Sequence, residues 1–255
     1  MINYWRRPAA GSVPALFLHI QKTAGTSIVD LARQYYGESI TSHGECWGLP
    51  PEQFRRVGFV SGHLGYDYTR HLIGQRFAFT FLREPAERIL SMYYFCRSRD
   101  PAEFDIYRKA HEMDLLRFLE AGLSEPFMKM LLWNNQVWQL AHGYTHLDDR
   151  RIDDFTEAEL LRLAKEHIAE FSYVGFTETF ADDARVVLKA LGIPKPKEMP
   201  VSNAIPMRPR AAEQPLEVKA MLDKLTELDR QLYDYAWKQF SVARRKKNGG
   251  WWRWG

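Results

Sequence analysis

The chain has 255 residues, of which 45% are hydrophobic and 26% charged. At ~150 residues per domain this allows one large domain or two small ones with a full core. It excludes a disordered, collagen-like or membrane-spanning chain, since no run approaches the ~18 apolar residues of a spanning helix. The net charge is +3, yet five basic residues and no acid lie in the last fifteen positions, which leaves −2 for residues 1–240. A general nucleic-acid binder is therefore excluded, and any anion site in the body is local. Cys46 and Cys96 are the only cysteines, too few for a disulfide scaffold or a four-cysteine zinc site.

Residues 1–14 carry Arg6 and Arg7 without an apolar segment before Pro8. They do not read as a signal peptide, and a cytoplasmic protein with reduced thiols is expected. Ala15–Ile20 is a short apolar run that predicts a buried strand. Ile28, Leu31, Ala32 and Tyr35 then recur at helical spacing, with Gly37 as a stop. Val57–Ser61, Phe77–Leu82 and Tyr173–Phe176 predict further strands. Pro85 opens a helix to about Arg97, and residues 112–121, 126–141, 156–169 and 179–191 read as helices. Five prolines place residues 192–213 in an extended loop, and Pro215–Phe240 predicts one long final helix. Strands alternating with helices predict an α/β fold: a three-layer sandwich with a central parallel sheet flanked by helices. Its ligand belongs at the carboxyl ends of the strands, in the loops after Ile20, Ser61 and Leu82.

The first of these loops reads His19-Ile-Gln-Lys-Thr-Ala-Gly-Thr-Ser27. Small residues let the backbone turn tightly into a helix start, where amides favour anions. Lys22 adds a charge, and Thr26 and Ser27 add hydroxyls. The segment is not a Walker A motif, because its lysine precedes its only glycine. The plainer alternative is an ordinary helix start with an exposed lysine. In the third loop, Arg83 stands at a strand end and Ser91 eight residues on. A guanidinium and a hydroxyl suit a phosphate monoester. Alternatively, Arg83 pairs with Glu84 or Glu87 at the surface.

Together, Lys22–Ser27 and Leu82-Arg-Glu-Pro-x-x-Arg-x-x-Ser-x-Tyr93 resemble the sulfotransferases that use 3′-phosphoadenosine 5′-phosphosulfate (PAPS). The branch most similar sulfates carbohydrate hydroxyls and includes the heparan sulfate 2-O and 6-O enzymes and bacterial relatives. Ser61-Gly-His-Leu64, Tyr173–Glu178 and Leu228-Asp-x-x-Leu-Tyr233 resemble further landmarks. Gln21 and Glu84 depart from the common proline and aspartate.

The resemblance implies a P-loop NTPase-like fold, with one sulfotransferase domain over 1–240 and a tail over 241–255. It implies that Lys22, Thr23, Ala24, Gly25, Thr26 and Ser27 hold the 5′-phosphosulfate, and that Arg83 and Ser91 hold the 3′-phosphate. Adenosine 3′,5′-bisphosphate would be the product. Sulfuryl transfer needs charge stabilisation at the leaving oxygen and a base for the acceptor hydroxyl. Lys22 is expected in the first role and His63 in the second, since the resemblance puts a catalytic histidine there and imidazole titrates near neutral pH. A backbone-bonded structural histidine is the alternative.

His19 sits in a predicted buried strand and reads as a core group. His142 and His146 have i, i+4 spacing but enclose Gly143 and no glutamate, so no zinc or other metal is expected. The acceptor is expected to be a carbohydrate or glycolipid, with His71, Asn135 and Gln136 as contacts. Trp133 and Trp138 read as core. Arg208 is expected to close over the nucleotide. The tail, with Trp251, Trp252 and Trp254 among its bases, suits either weak contact with an anionic membrane surface or a flexible end. Two rival functions are a P-loop-like kinase and a non-catalytic nucleotide- or glycan-binding protein of the same fold.

Overall fold

The computed structural model describes residues 13–42, 49–143, 150–194, 196 and 208–241. Four parallel strands, β1 (Ala15–Leu18), β2 (Phe59–Gly62), β3 (Phe77–Leu82) and β4 (Tyr173–Phe176), form one sheet in the order β2-β1-β3-β4. Every residue of these strands is buried, which is why they read as continuous apolar runs rather than alternating ones.

The chain leaves β1 through α1 (Gly25–Tyr36) toward one edge. It returns from β2 through α2 (Tyr66–Ile73) to lay β3 on the other side of β1. The order therefore reverses between β1 and β3, and such a switch point opens a crevice at the carboxyl ends of the two strands. The first and third loops of interest, after β1 and after β3, flank that crevice by topology alone.

Helices cover both faces. On one, Phe17, Phe79 and Phe81 pack with Ile28, Leu31 and Ala32 of α1 and with Ala184, Val187 and Leu188 of α9 (Phe180–Ala190). On the other, Leu16, Leu18 and Val60 meet residues of α2, α7 (Asn135–Ala141), α8 (Glu157–Ile168) and α11 (Glu227–Phe240). A third apolar cluster joins α3 (Pro85–Arg97), α4 (Asp105–Glu112), α5 (Leu115–Ser124), α6 (Pro126–Leu132) and α10 (Leu216–Leu225). This is the three-layer α/β architecture expected from the sequence.

Two expectations are corrected. The single helix over 126–141 is two, because Asn134 turns left-handed (φ 42°) between α6 and α7. The single helix over 215–240 is also two, broken at Thr226. The breaks interlock: the Asn134 amide donates to the Leu225 carbonyl at 2.8 Å, and its Oδ1 accepts from the Leu228 and Asp229 amides at 2.9 and 3.0 Å. Helices α2 and α4 lack an expectation in the sequence reading altogether. Among the described residues no helix is long and apolar enough to cross a membrane. Cys46, His146, the segment 197–207 and the tail beyond Ser241 lie outside the described residues.

Candidate active site

The loop after β1 is built on two left-handed residues, Lys22 (φ 69°) and Ala24 (φ 64°). Non-glycine residues adopt this conformation at a cost, so the surrounding contacts must hold it. Thr23, fully buried between them, donates its hydroxyl to the Ile20 carbonyl at 2.8 Å. Its side chain thus fastens the turn from inside. Ala24 is the N-cap of α1, so no side chain caps the helix, and its first turn has no acid. Such a start leaves its amide dipoles to attract an anion.

Gly25 meets a specific need. A Cβ there would lie 2.1 Å from Nε2 of His19. The buried His19 ring stacks on Phe17 (5.1 Å between centroids) and reaches the His63 ring at 4.6 Å. His19 is a core group as expected, and it is also the wedge between the loop and His63.

His63 follows β2 directly, and its Nδ1 lies 3.0 Å from the His19 carbonyl. A carbonyl only accepts, so Nδ1 carries the proton in the neutral ring and Nε2 is the basic nitrogen. A backbone-bonded histidine and a general base are therefore compatible roles, not alternatives.

Lys22 extends toward α3, with Nζ 3.5 Å above the centre of the Phe95 ring. Burial pulls its pKa down to about 8, and Arg83, Arg99 and Arg208 push the same way, against Cys96. The Cys96 thiol itself is pushed up to about 12 by burial, so it is inert at neutral pH.

Arg83 directly follows β3, and its Nη1 donates to the Lys22 carbonyl at 3.1 Å across the crevice. Burial and the neighbouring Arg208 lower its pKa. The turn that carries it is held from several directions. Glu84 caps α3 by accepting from the Ala86 and Glu87 amides at 3.2 and 2.7 Å. The Glu84 amide donates to Glu178 at 2.8 Å. Glu87 accepts from the Ala211 amide at 2.8 Å and pairs with Arg208, drawing that segment onto α3. Arg83 thus does not pair at the surface with Glu84. Ser91 is half-buried on α3, two turns beyond Arg83.

The acceptor-side expectations fare differently. His71 is exposed in the last turn of α2. That helix runs from the carboxyl to the amino ends of the strands, and Arg76 just beyond it bonds the Ala15 carbonyl at the start of β1. His71 therefore stands at the end of the layer away from the crevice. Asn135 and Gln136 are buried in α7, so they do not line an open surface. Asn135 donates to the Met130 carbonyl at 3.0 Å. Gln136 spends its side chain on the Arg83 backbone, accepting from the amide at 3.0 Å and donating to the carbonyl at 2.9 Å. Trp138 is buried, as expected for core.

Sequence reasoning missed Glu178 and Asp229, which belong to the quoted later landmarks, and it named Glu87 only as a surface partner of Arg83, whereas Glu87 holds Ala211 and Arg208. Among the described residues no cluster of three metal-ligating side chains occurs.

A half-buried lysine, an uncapped helix start and two neighbouring guanidiniums make a donor set suited to a multiply charged anion. A model described as the sulfotransferase family matches residues 10–236, and the chain belongs to that family. It is similar to heparan sulfate 2-O-sulfotransferase hst-2 of Caenorhabditis elegans, at 27% identity over 177 residues. That match covers 65% of this chain and 48% of the relative, so the chain spans about half the length of the curated protein it matches. Among solved structures it is similar to mouse sulfotransferase SULT7A1 complexed with PAP. The TM-score is 0.43 and the identity 11%, with 97% of this chain and 92% of that one covered.

Proposed function

We propose that the protein transfers a sulfuryl group from PAPS to a carbohydrate hydroxyl. The observation that carries this reading is the convergence of Lys22 and Arg83 across the β1/β3 crevice, joined by the Arg83 Nη1 to Lys22 carbonyl bond of 3.1 Å. With Arg208 beside Arg83, three cations stand near one uncapped helix start. That donor set fits a nucleotide bearing anionic groups on both its 5′ and 3′ sides. When bound, PAPS supplies the sulfuryl group and a phosphate leaving group.

The chain's own residues then have distinct tasks. The loop from Thr23 to Ser27 orients the 5′ end through its amides and the hydroxyls of Thr26 and Ser27. Lys22, partly desolvated and brought near neutral titration, gains most from an arriving anion, and it holds positive charge at the leaving oxygen. Arg83, Ser91 and Arg208 hold the 3′-phosphate. His63 takes the acceptor hydroxyl proton at Nε2, with Nδ1–H tied to the His19 carbonyl. The similarity to a heparan sulfate 2-O-sulfotransferase supports a sugar as acceptor.

Calorimetric titration tests the reading. Adenosine 3′,5′-bisphosphate is expected to bind well, adenosine 5′-phosphate weakly, and Arg83→Ala to abolish the difference. Preference for ATP with magnesium, or no nucleotide binding, would overturn it.

A further inference from the structure

Gln136 is buried on α7 (1% exposed), fifty-three positions from Arg83 in sequence. Its amide nevertheless closes a two-bond ring with the Arg83 backbone: Oε1 accepts from the amide at 3.0 Å and Nε2 donates to the carbonyl at 2.9 Å. A residue whose own N–H and C=O are both to be held needs a partner side chain carrying an acceptor and a donor in one plane. A primary amide does so; a carboxylate lacks the donor and an ammonium the acceptor.

The clamp is itself clamped. The Gln136 amide donates to Asp229 Oδ2 at 3.3 Å and the Val137 amide to Oδ1 at 2.8 Å. Asp229, fully buried on α11, thereby caps α7. Arg88 of α3, also fully buried, donates to the Leu131 and Leu132 carbonyls at 3.1 and 3.4 Å and acts electrostatically on Asp229. A closed circuit thus runs from the β3–α3 turn through α7 and α11 back to α3.

We infer that Gln136 is a positioning residue that sets the direction of the Arg83 guanidinium, and through it the affinity for the 3′-phosphate. This rests on the reading of the site as a PAPS site. The backbone of Arg83 is the pivot of its side chain, and a buried two-point clamp restricts that pivot where β3 ends. Small displacements of a positioning group have large effects on binding and rate.

The test is a double-mutant cycle on the full chain with Gln136→Met and Arg83→Ala. Adenosine 3′,5′-bisphosphate and adenosine 5′-phosphate are titrated into each protein. Gln136→Met is expected to weaken the bisphosphate about tenfold and the monophosphate by less than about twofold. In the Arg83→Ala background it is expected to cost less than about twofold for either nucleotide. Equal weakening of both nucleotides, or a full effect without Arg83, would overturn the inference and leave Gln136 a structural residue. The wild-type titration separates the failures: a protein indifferent to the 3′-phosphate refutes the PAPS reading itself.

Hydrogen exchange of the Arg83 amide tests the clamp without any nucleotide. Exchange in the peptide containing Arg83 is expected to accelerate in Gln136→Met while the peptide containing β1 stays protected; unchanged exchange at Arg83 refutes the clamp. Should Gln136→Met fail to fold, Gln136→Glu, which keeps the acceptor and loses the donor, carries both measurements.

Discussion

The two loops that face the crevice are built by opposite strategies. The loop after β1 holds itself: Thr23 fastens to Ile20 three residues back, and Gly25 seats the ring of His19 six residues back. The turn after β3 is held by remote parts of the chain, by Gln136 of α7, by Glu178 after β4 and by the Arg208–Ala211 segment. A self-contained loop suits the role proposed for Lys22, whose charge would meet the leaving oxygen. A turn held by three remote segments suits recognition, because it forms only when the whole domain is folded.

The largest expected effect separates these two tasks. Lys22→Met should lower kcat by about 10²–10³-fold, the scale of losing one preorganised electrostatic group. Arg83→Ala should act mainly on KM for the donor. Steady-state kinetics with PAPS and a sugar acceptor distinguishes them. Losses falling equally on kcat and KM in both variants would dissolve the division of labour.

Gly25→Ala strikes at the self-held loop. Its new Cβ would lie 2.1 Å from the His19 ring, which is also stacked on Phe17. Overpacking of this kind costs about 1–3 kcal/mol, and the displaced His19 carries His63 with it. Urea unfolding should report the stability loss. An unchanged midpoint would show that the ring relocates freely and that the loop does not depend on it.

A pH profile sharpens the same contrast by charge. The Lys22 pKa sits at about 8 because of burial and three arginine neighbours. Below that value the unliganded protein carries the cation, and above it the cation is lost. The donor kcat/KM should therefore fall about tenfold per pH unit above the pKa, since this ratio reports groups of the free enzyme. Lys22→Arg keeps its charge at these pH values and should lack the falling limb, whatever its absolute rate. A limb that persists in Lys22→Arg would assign it to another group.

The same contrast explains what could be read from the sequence. All four strands, and the helices α1, α3, α8 and α9, follow local patterns of period and capping. So does the self-held loop, whose residues lie within nine consecutive positions. The breaks at Asn134 and Thr226 were not legible, because each depends on the other: the Asn134 amide needs the Leu225 carbonyl ninety-one residues away. Helical spacing runs through both breaks and masks them. Gln136 shows the limit most clearly. An amide beside tryptophans reads equally well as a sugar contact or a backbone clamp, and only the arrival of β3 beside α7 decides. His71 failed for the opposite reason, since a polar residue near the glycine–histidine segment in sequence is carried to the other end of the layer by a two-turn helix.

The smallest expected effect probes how tightly the remote clasp on α3 is drawn. Glu87 accepts from the Ala211 amide at 2.8 Å and pairs with Arg208, the two side chains being 23% and 11% exposed. Glu87→Gln keeps an acceptor for Ala211 and removes the charge facing Arg208. With solvent still reaching the pair, the loss should be about 0.5–1 kcal/mol in urea unfolding at pH 7. Burial pushes the Glu87 pKa up, but the Ala211 amide and Arg208 outweigh it and hold the carboxyl below its ordinary range. A depressed carboxyl stabilises the fold above its unfolded pKa of about 4.3 and loses that contribution as the pH falls through the folded value. The gap between wild type and Glu87→Gln should therefore be constant from pH 7 to about 5 and close in acid. A gap that survives full protonation would mean that the clasp rests on shape rather than charge. No gap at pH 7 would mean that Arg208 is held by something other than Glu87, and the turn after β3 would have one fewer remote support than the contacts suggest.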